Sequence, residues 1–139
     1  MRRDNGASCG QVRRRARIML VLSSGELGGG EETVRLLARH LDRSRYEVSV
    51  VCPESPMMRR LEQIEDLQRF TLPFPTTPHL KTVRALAALI RRAQVDILHT
   101  HLCLADIYGF LATRLAPVRT LIATIQGNTF FWELEPFPR

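Results

Sequence analysis

The chain has 139 residues, of which 45% are hydrophobic and 24% charged; this suits one globular domain and excludes a chain that is disordered throughout. No apolar run approaches the roughly 18 residues that a membrane-spanning helix needs. Of the net charge of +6, residues 1–17 carry +5, from six arginines and one aspartate, so the rest of the chain is nearly neutral. We therefore interpret residues 1–16 as a basic, disordered tail, with contact to an acidic membrane surface as an alternative and no nucleic-acid binding expected.

Strand and helix patterns alternate through the first half of the chain. Residues 18–22 form a continuous apolar run, which is typical of a central parallel strand. A glycine-rich turn at 23–30 follows, and the next apolar residues have helical spacing. Residues 46–52 predict a second strand, closed by Pro53. The two helices are marked by these residues: Val34, Leu37, Ala38 and Leu41; then Met57, Leu61 and Ile64.

The second half repeats the alternation. Residues 70–72 predict a short third strand, 95–100 a fourth and 118–125 a fifth. The intervening helices are marked by two apolar faces: Leu80, Val83, Ala87 and Ile90; then Leu104, Ile107, Tyr108, Leu111 and Leu115. Parallel strands need crossover helices, and the crossovers wind the strands into one sheet that is covered on both faces. We predict an α/β fold: a Rossmann-like, doubly wound parallel sheet in three layers (α/β/α), with strand order 3-2-1-4-5.

Ligands of such sheets bind beyond the carboxyl ends of the strands, near the switch point between strands 1 and 4. The glycine run at 28–30 opens a predicted helix, where free amides attract phosphate, although a flexible turn explains it equally well. Thr33 occupies the position of the third glycine of a dinucleotide fingerprint, so that motif does not fit. No GK[ST] is present, which excludes a P-loop.

Two more segments lie at the same predicted edge. Alternation along strand 4 puts His99 and His101 on one face, and we expect His101 to protrude into a cleft as a hydrogen-bonding group. Packed or solvated histidines and the start of a metal site are the alternatives; no third metal ligand stands out. Asp106, one turn into the next helix, could cap the helix, be solvated or bind a ligand. The segment after strand 5 offers amides suited to hydroxyl groups, or an ordinary polar turn: Gln126, Gly127 and Asn128.

The cysteines and the absence of a signal sequence bear on the compartment. Cys9, Cys52 and Cys103 are odd in number and form no CxxC, which argues against a disulfide framework or a zinc site. The tail lacks the apolar region of a secretory signal. We therefore predict a cytoplasmic protein without a bound metal, in which Cys52 is a buried apolar residue.

Two long stretches resemble the N-terminal domain of family 4 glycosyltransferases of the GT-B type. The first is RIMLVLSSGELGGGEETVRLLARHLDRSRYEVSVVCPE, in which a strand leads through a GG-x-E turn into a helix and a strand that ends before proline. The second is VDILHTHLCLADIYGFLATRLAPVRTLIATIQGN, in which H-x-H ends a strand and the next strand ends in a T-x-H-G-like turn. The resemblance covers residues 17–128, and its specificity lies in the combination of motifs.

The resemblance implies retaining transfer of a sugar from a nucleotide-sugar, which is the donor substrate, to a hydroxyl of a sugar or lipid-linked acceptor, with no cofactor. It implies that Gly28, Gly29 and Gly30 lie near the donor diphosphate. His101 becomes the catalytic candidate in the cleft. The remaining cleft residues on the acceptor side are His99, Gln126, Gly127 and Asn128. Gln126 replaces the histidine of the family, and it cannot take up a proton near neutral pH.

The resemblance also implies a second Rossmann-like domain with an E-x7-E motif, which these residues do not include. We therefore expect residues 17–128 to be the acceptor-side domain of a bacterial glycosyltransferase, in the cytoplasm or at the inner face of its membrane. Residues 129–139 would begin a truncated continuation. Alone, the chain is expected to be inactive and to self-associate. A non-catalytic binding domain and a subunit of a split enzyme are alternatives, and an oxidoreductase is disfavoured because no acid is placed to bind a ribose.

Overall fold

The computed structural model describes residues 14–126, in which strands and helices alternate along the chain. The strands are β1 (Ala16–Leu22), β2 (Tyr46–Cys52), β3 (Leu67–Thr71), β4 (Ile97–His101) and β5 (Thr120–Thr124). The helices are α1 (Gly29–His40), α2 (Pro56–Leu61), α3 (Leu80–Arg92) and α4 (Cys103–Leu115). None of these helices has the length and apolar character that a membrane crossing requires.

The sheet has the predicted topology. Its order is β3-β2-β1-β4-β5 and every neighbouring pair is parallel, which confirms the doubly wound α/β fold. Strand β1 is apolar on both faces because each face lies under a different pair of helices. Ile18, Leu20 and Leu22 belong to the core beneath α1 and α2, whereas Met19 and Val21 belong to the core beneath α3 and α4. These two cores make the three predicted layers.

Several boundaries differ from the sequence-based prediction. Strand β3 begins at Leu67 instead of residue 70, because it is an edge strand whose exposed residues give no apolar run. Strand β4 begins later than predicted and extends to His101. Helix α2 ends at Leu61, so Ile64 lies beyond the helix, although it packs against the same core.

The buried face of α4 differs from the prediction. Tyr108 is buried as expected, but Ile107, Leu111 and Leu115 are exposed, and Leu104 is only partly buried. The residues that face the sheet are small ones beside Tyr108: Ala105, Gly109 and Ala112. Small side chains let the helix approach β4 closely, since a Cβ atom added at Gly109 would lie 2.5 Å from the Thr100 methyl carbon. The close fit, rather than hydrophobicity alone, selects this face.

We expect Gly109→Val to lower the free energy of unfolding by about 1–3 kcal/mol, because the added side chain overpacks the contact between α4 and β4. Urea unfolding measures the change. Gly29→Val is the matched control, since nothing lies within 4 Å of a Cβ atom at Gly29. An equal loss in both variants would contradict the close-packing explanation.

The predicted tail is shorter than expected. Arg14 Nη2 lies 2.8 Å from Asp96 Oδ1, and Arg17 Nε lies 3.1 Å from Glu47 Oε2. Arg15 also pairs with Glu47. Residues 14–16 therefore belong to the folded part, because Glu47 near the start of β2 and Asp96 just before β4 attract their guanidinium groups. Residues 1–13 lie outside the described part, as does their predicted disorder.

Strand β5 forms the edge of the sheet next to β4, and Leu121 and Ile122 are exposed there. An exposed apolar edge is the feature from which we expect self-association, which stays a prediction. The aromatic residues that we also expect to take part, between 130 and 137, lie outside the described residues.

Candidate functional site

The three predicted segments meet at the edge of the sheet that is formed by the carboxyl ends of the strands. The strand register pairs Leu22 with His101 and His101 with Thr124, so β1, β4 and β5 end at the same level. A Cβ atom added at Gly30 would lie 2.6 Å from Gln126 Oε1 and 3.0 Å from Leu102 Cδ2. The start of α1 therefore contacts both the start of α4 and the segment after β5. This edge is where a ligand of a doubly wound sheet is expected.

The glycine run is needed for close approach rather than for unusual backbone angles. Gly28 is the N-cap of α1 in an extended conformation (φ −134°, ψ −173°), which any residue can adopt. Space is limited at Gly28 by the Glu31 carboxylate, 2.7 Å from an added Cβ atom, and at Gly30 by Gln126. Gly29 is open. Whether a diphosphate approaches here stays a prediction.

Glu31 is a residue of this edge for which the sequence analysis predicted no role. Its side chain is buried and lies against Gly28, in the first turn of α1. A carboxylate is favourable there because the helix dipole is positive at its N-terminus. The helix therefore already has a negative group beside its first amides.

The two histidines share one face of β4, as alternation predicts. Their ring centroids are 4.2 Å apart, and the rings are inclined by 35°. His99 Nε2 lies 2.7 Å from Thr124 Oγ1 on β5. His101 does not protrude into an open cleft as expected: it is fully buried, because β1, β5 and Gln126 surround the end of β4.

Burial lowers the pKa of both rings. Loss of solvation lowers the pKa of His101 from 6.5 to about 4; repulsion from His99 adds to the effect, and the nearby Gln126 amide opposes it. Burial also lowers the pKa of His99, whereas the negative charge of Asp106 raises it. His101 is therefore a neutral imidazole at pH 7, with one nitrogen that donates and one that accepts.

Unsatisfied polar atoms are concentrated at this edge. Among the described residues, four buried side-chain atoms have no hydrogen-bond partner: both ring nitrogens of His101, Asp106 Oδ1 and Gln126 Oε1. Each such atom costs roughly 1–3 kcal/mol, so a group of them requires an explanation. We name His99, His101, Asp106 and Gln126 the polar cluster. Asp106 and Gln126 are only partly exposed, so the cluster borders the surface.

The turn from β4 into α4 is strained. Leu102 has φ 75° and ψ 146°, a region that non-glycine residues rarely occupy. This conformation lets α4 start at Cys103, one residue beyond the end of β4, and Asp106 then lies near enough to His99 for its charge to act on that ring. Gly127 and Asn128, the other predicted cleft residues, lie outside the described part.

Other features lie elsewhere or carry no reactive group. A cavity of about 830 Å³ opens at the amino ends of the strands, between Arg17, Glu47 and Arg69, at the opposite edge from the polar cluster. Cys52 is buried as predicted, and burial raises the pKa of its thiol to about 11, so the thiol is protonated at pH 7. Within residues 14–126, no three potential metal ligands converge.

Residues 27–138 match the family model described as Glycosyltransferase Family 4. A segment of 96 residues is 27% identical to the Escherichia coli UDP-Gal:alpha-D-GlcNAc-diphosphoundecaprenol alpha-1,3-galactosyltransferase, over 65% of this chain and 24% of the relative. The chain thus spans about a quarter of the length of that relative.

Three solved structures share the fold. A glycosyltransferase from Rickettsia africae matches with a TM-score of 0.66 and 16% identity, over 87% of this chain and 33% of its own. Acinetobacter baumannii MurG matches with a TM-score of 0.63 and 16% identity, over 84% and 38%. Anabaena HepE, in complex with UDP and glucose, matches with a TM-score of 0.60 and 23% identity, over 78% and 29%.

Proposed function

Because this chain belongs to Glycosyltransferase Family 4, we propose that it forms the acceptor-side domain of a retaining enzyme that transfers a sugar from a nucleotide-sugar to an acceptor hydroxyl. Family membership supports sugar transfer in general. The assignment to the acceptor side rests on the polar cluster. This is a group of uncharged or hydrogen-bond-accepting side chains at the carboxyl ends of the strands, where a ligand is expected. Such groups suit hydroxyl-bearing ligands.

The relatives suggest the kinds of partner. By its name, the Escherichia coli relative transfers galactose from UDP-Gal to an N-acetylglucosamine carried on diphosphoundecaprenol, and the Anabaena structure holds UDP and glucose. We propose a nucleotide-sugar donor and a sugar or lipid-linked acceptor for this chain as well. A cytoplasmic location and contact of Arg2, Arg3 and Arg13 with an acidic membrane surface belong to the same proposal.

In the proposed reaction, the acceptor oxygen bonds to the anomeric carbon while the bond from that carbon to the diphosphate breaks. The acceptor proton leaves with the diphosphate. We assign His101 a hydrogen bond that orients the reacting sugars, because an imidazole with a pKa of about 4 holds a proton too weakly to act as an effective base near pH 7. We propose that the diphosphate approaches the open amide end of α1 at Gly29.

The experiment that tests this function joins residues 1–139 to the remaining part of a family member. We expect transfer by the joined protein and none by the 139-residue chain alone, because positioning of donor and acceptor supplies much of the rate. His101→Ala should lower transfer by about tenfold to a hundredfold, the cost of one or two lost hydrogen bonds. Radiolabelled nucleotide-sugars and lipid-linked or free sugar acceptors provide the assay.

Two controls complete the test. Mixing the two parts as separate proteins distinguishes a split enzyme, in which transfer would appear without fusion. His40→Ala changes an exposed histidine at the far end of α1 and should leave transfer unchanged. Measurable transfer by the chain alone would contradict the proposed division of roles.

A further inference from the structure

The Oδ1 atom of Asp106 is a buried acceptor that nothing in the described part of the chain satisfies. Asp106 lies in the first turn of α4, where its Oδ1 atom accepts no hydrogen bond from a helix amide. Asp106 forms no ion pair within residues 14–126, and its Oδ1 atom is buried without a partner. Its charge nevertheless acts on the polar cluster, because it raises the pKa of His99 against the effect of burial. Bulk solvent does not reach Oδ1, so of the three roles that the sequence left open, binding a ligand is the one that accounts for this atom.

The chemistry of the cluster restricts what can bind. The Gln126 amide and the neutral His101 ring can each present a donor or an acceptor, so neither decides the polarity of a ligand. A carboxylate can only accept hydrogen bonds, so Asp106 requires a ligand group that donates one. No arginine or lysine of the described residues forms an ion pair with Asp106. This arrangement repels phosphate and favours a neutral group that donates hydrogen bonds.

We propose that Asp106 is a specificity-determining residue that accepts a hydrogen bond from a hydroxyl of a neutral sugar, so that the polar cluster takes the sugar part of a substrate and excludes phosphate. The proposal rests on the proposed function in taking the ligand to be a sugar. It adds that the phosphate part of a lipid-linked acceptor or of a donor lies away from His99 and His101, toward the amide end of α1. Two ligand hydroxyls, one donating to Asp106 Oδ1 and the other to Gln126 Oε1, would satisfy both buried oxygens.

Nuclear magnetic resonance of the histidine rings in the full 139-residue chain tests the proposal. The probes are methyl α-N-acetylglucosaminide and inorganic phosphate, each titrated at constant pH and ionic strength. We expect the glycoside to shift the ring signals of His99 and His101, and phosphate to leave them unchanged. Asp106→Asn should weaken the glycoside by about tenfold, the usual effect of losing one hydrogen bond to a charged group.

A second measurement tests the position of Asp106 without any ligand. Removing the negative charge should lower the pKa of His99 in Asp106→Asn, as read from the pH titration of its ring signals. Asp66→Asn is the matched control, since Asp66 is exposed before β3 at the opposite edge of the sheet, and it should change neither result.

Three outcomes would overturn the proposal: phosphate shifting the rings of the wild-type chain, equal glycoside affinity in Asp106→Asn with a native spectrum, or no glycoside shift up to the solubility limit. Because no donor or transfer step is involved, the result is separable from the proposed function. Glycoside binding that depends on Asp106, together with absence of transfer by the joined protein, would contradict the proposed reaction alone.

Discussion

Gly29→Val is expected to lower sugar transfer by about a hundredfold, the scale on which a misplaced substrate loses rate, without lowering the stability of the chain. Nothing in the protein lies within 4 Å of the new Cβ atom, and the glycine has no positive φ, so the valine fits the free protein. It would instead occupy the space in front of the α1 amides where we propose that the diphosphate approaches. If a side chain that contacts no protein atom nevertheless lowers the transfer rate, we infer that it contacts a ligand.

Gly30→Val helps to separate two causes of a lower transfer rate, a blocked ligand and a destabilised fold. Its Cβ atom would meet Gln126 and Leu102, so we expect both transfer and stability to fall. Leu36→Val, an exposed change two turns along α1, is the control that should affect neither. Transfer is measured with the joined protein, and stability by urea unfolding of the 139-residue chain. Normal transfer by Gly29→Val would remove the support for a diphosphate at this helix end.

Acidification from pH 7 to pH 5 is expected to destabilise the fold by about 2 kcal/mol through His101 alone. The unfolded imidazole takes up a proton below pH 6.5, whereas the folded one does so only near pH 4, because burial opposes its charge. Between these values the unfolded chain binds more protons, so stability falls as the pH falls. The lowered pKa of His99 acts in the same direction.

Urea unfolding at pH 7 and pH 5 measures the effect. His101→Gln keeps a polar side chain but has no group that titrates, so the difference between the two pH values should shrink by about 2 kcal/mol. The exposed His40→Gln is the matched control and should retain the wild-type difference. An unchanged pH dependence in His101→Gln would show that the ring is solvated in the folded chain.

The sequence alone determined the strands and helices, because these follow from local periods, and the connection rules of doubly wound folds then gave the order of the sheet. Residues 18–22 are apolar on both faces, and only a strand covered by helices on both sides buries them all. The start of an edge strand and the contacts between a helix and the sheet do not follow from local periods. The polar strand β3 has no apolar period to mark its start, and the buried face of α4 depends on how closely Gly109 can approach Thr100.

For the candidate site, alternation along β4 was enough to pair His99 with His101, and the chain order of the strands was enough to bring Gly30 and Gln126 to the same edge. The tertiary structure decided the rest. The positive φ of Leu102 sets where α4 starts and so where Asp106 lies, and the spacing of residues does not encode it. The neutral state of His101 results from burial by several elements that are distant in sequence, because loss of solvation depends on every atom around the ring.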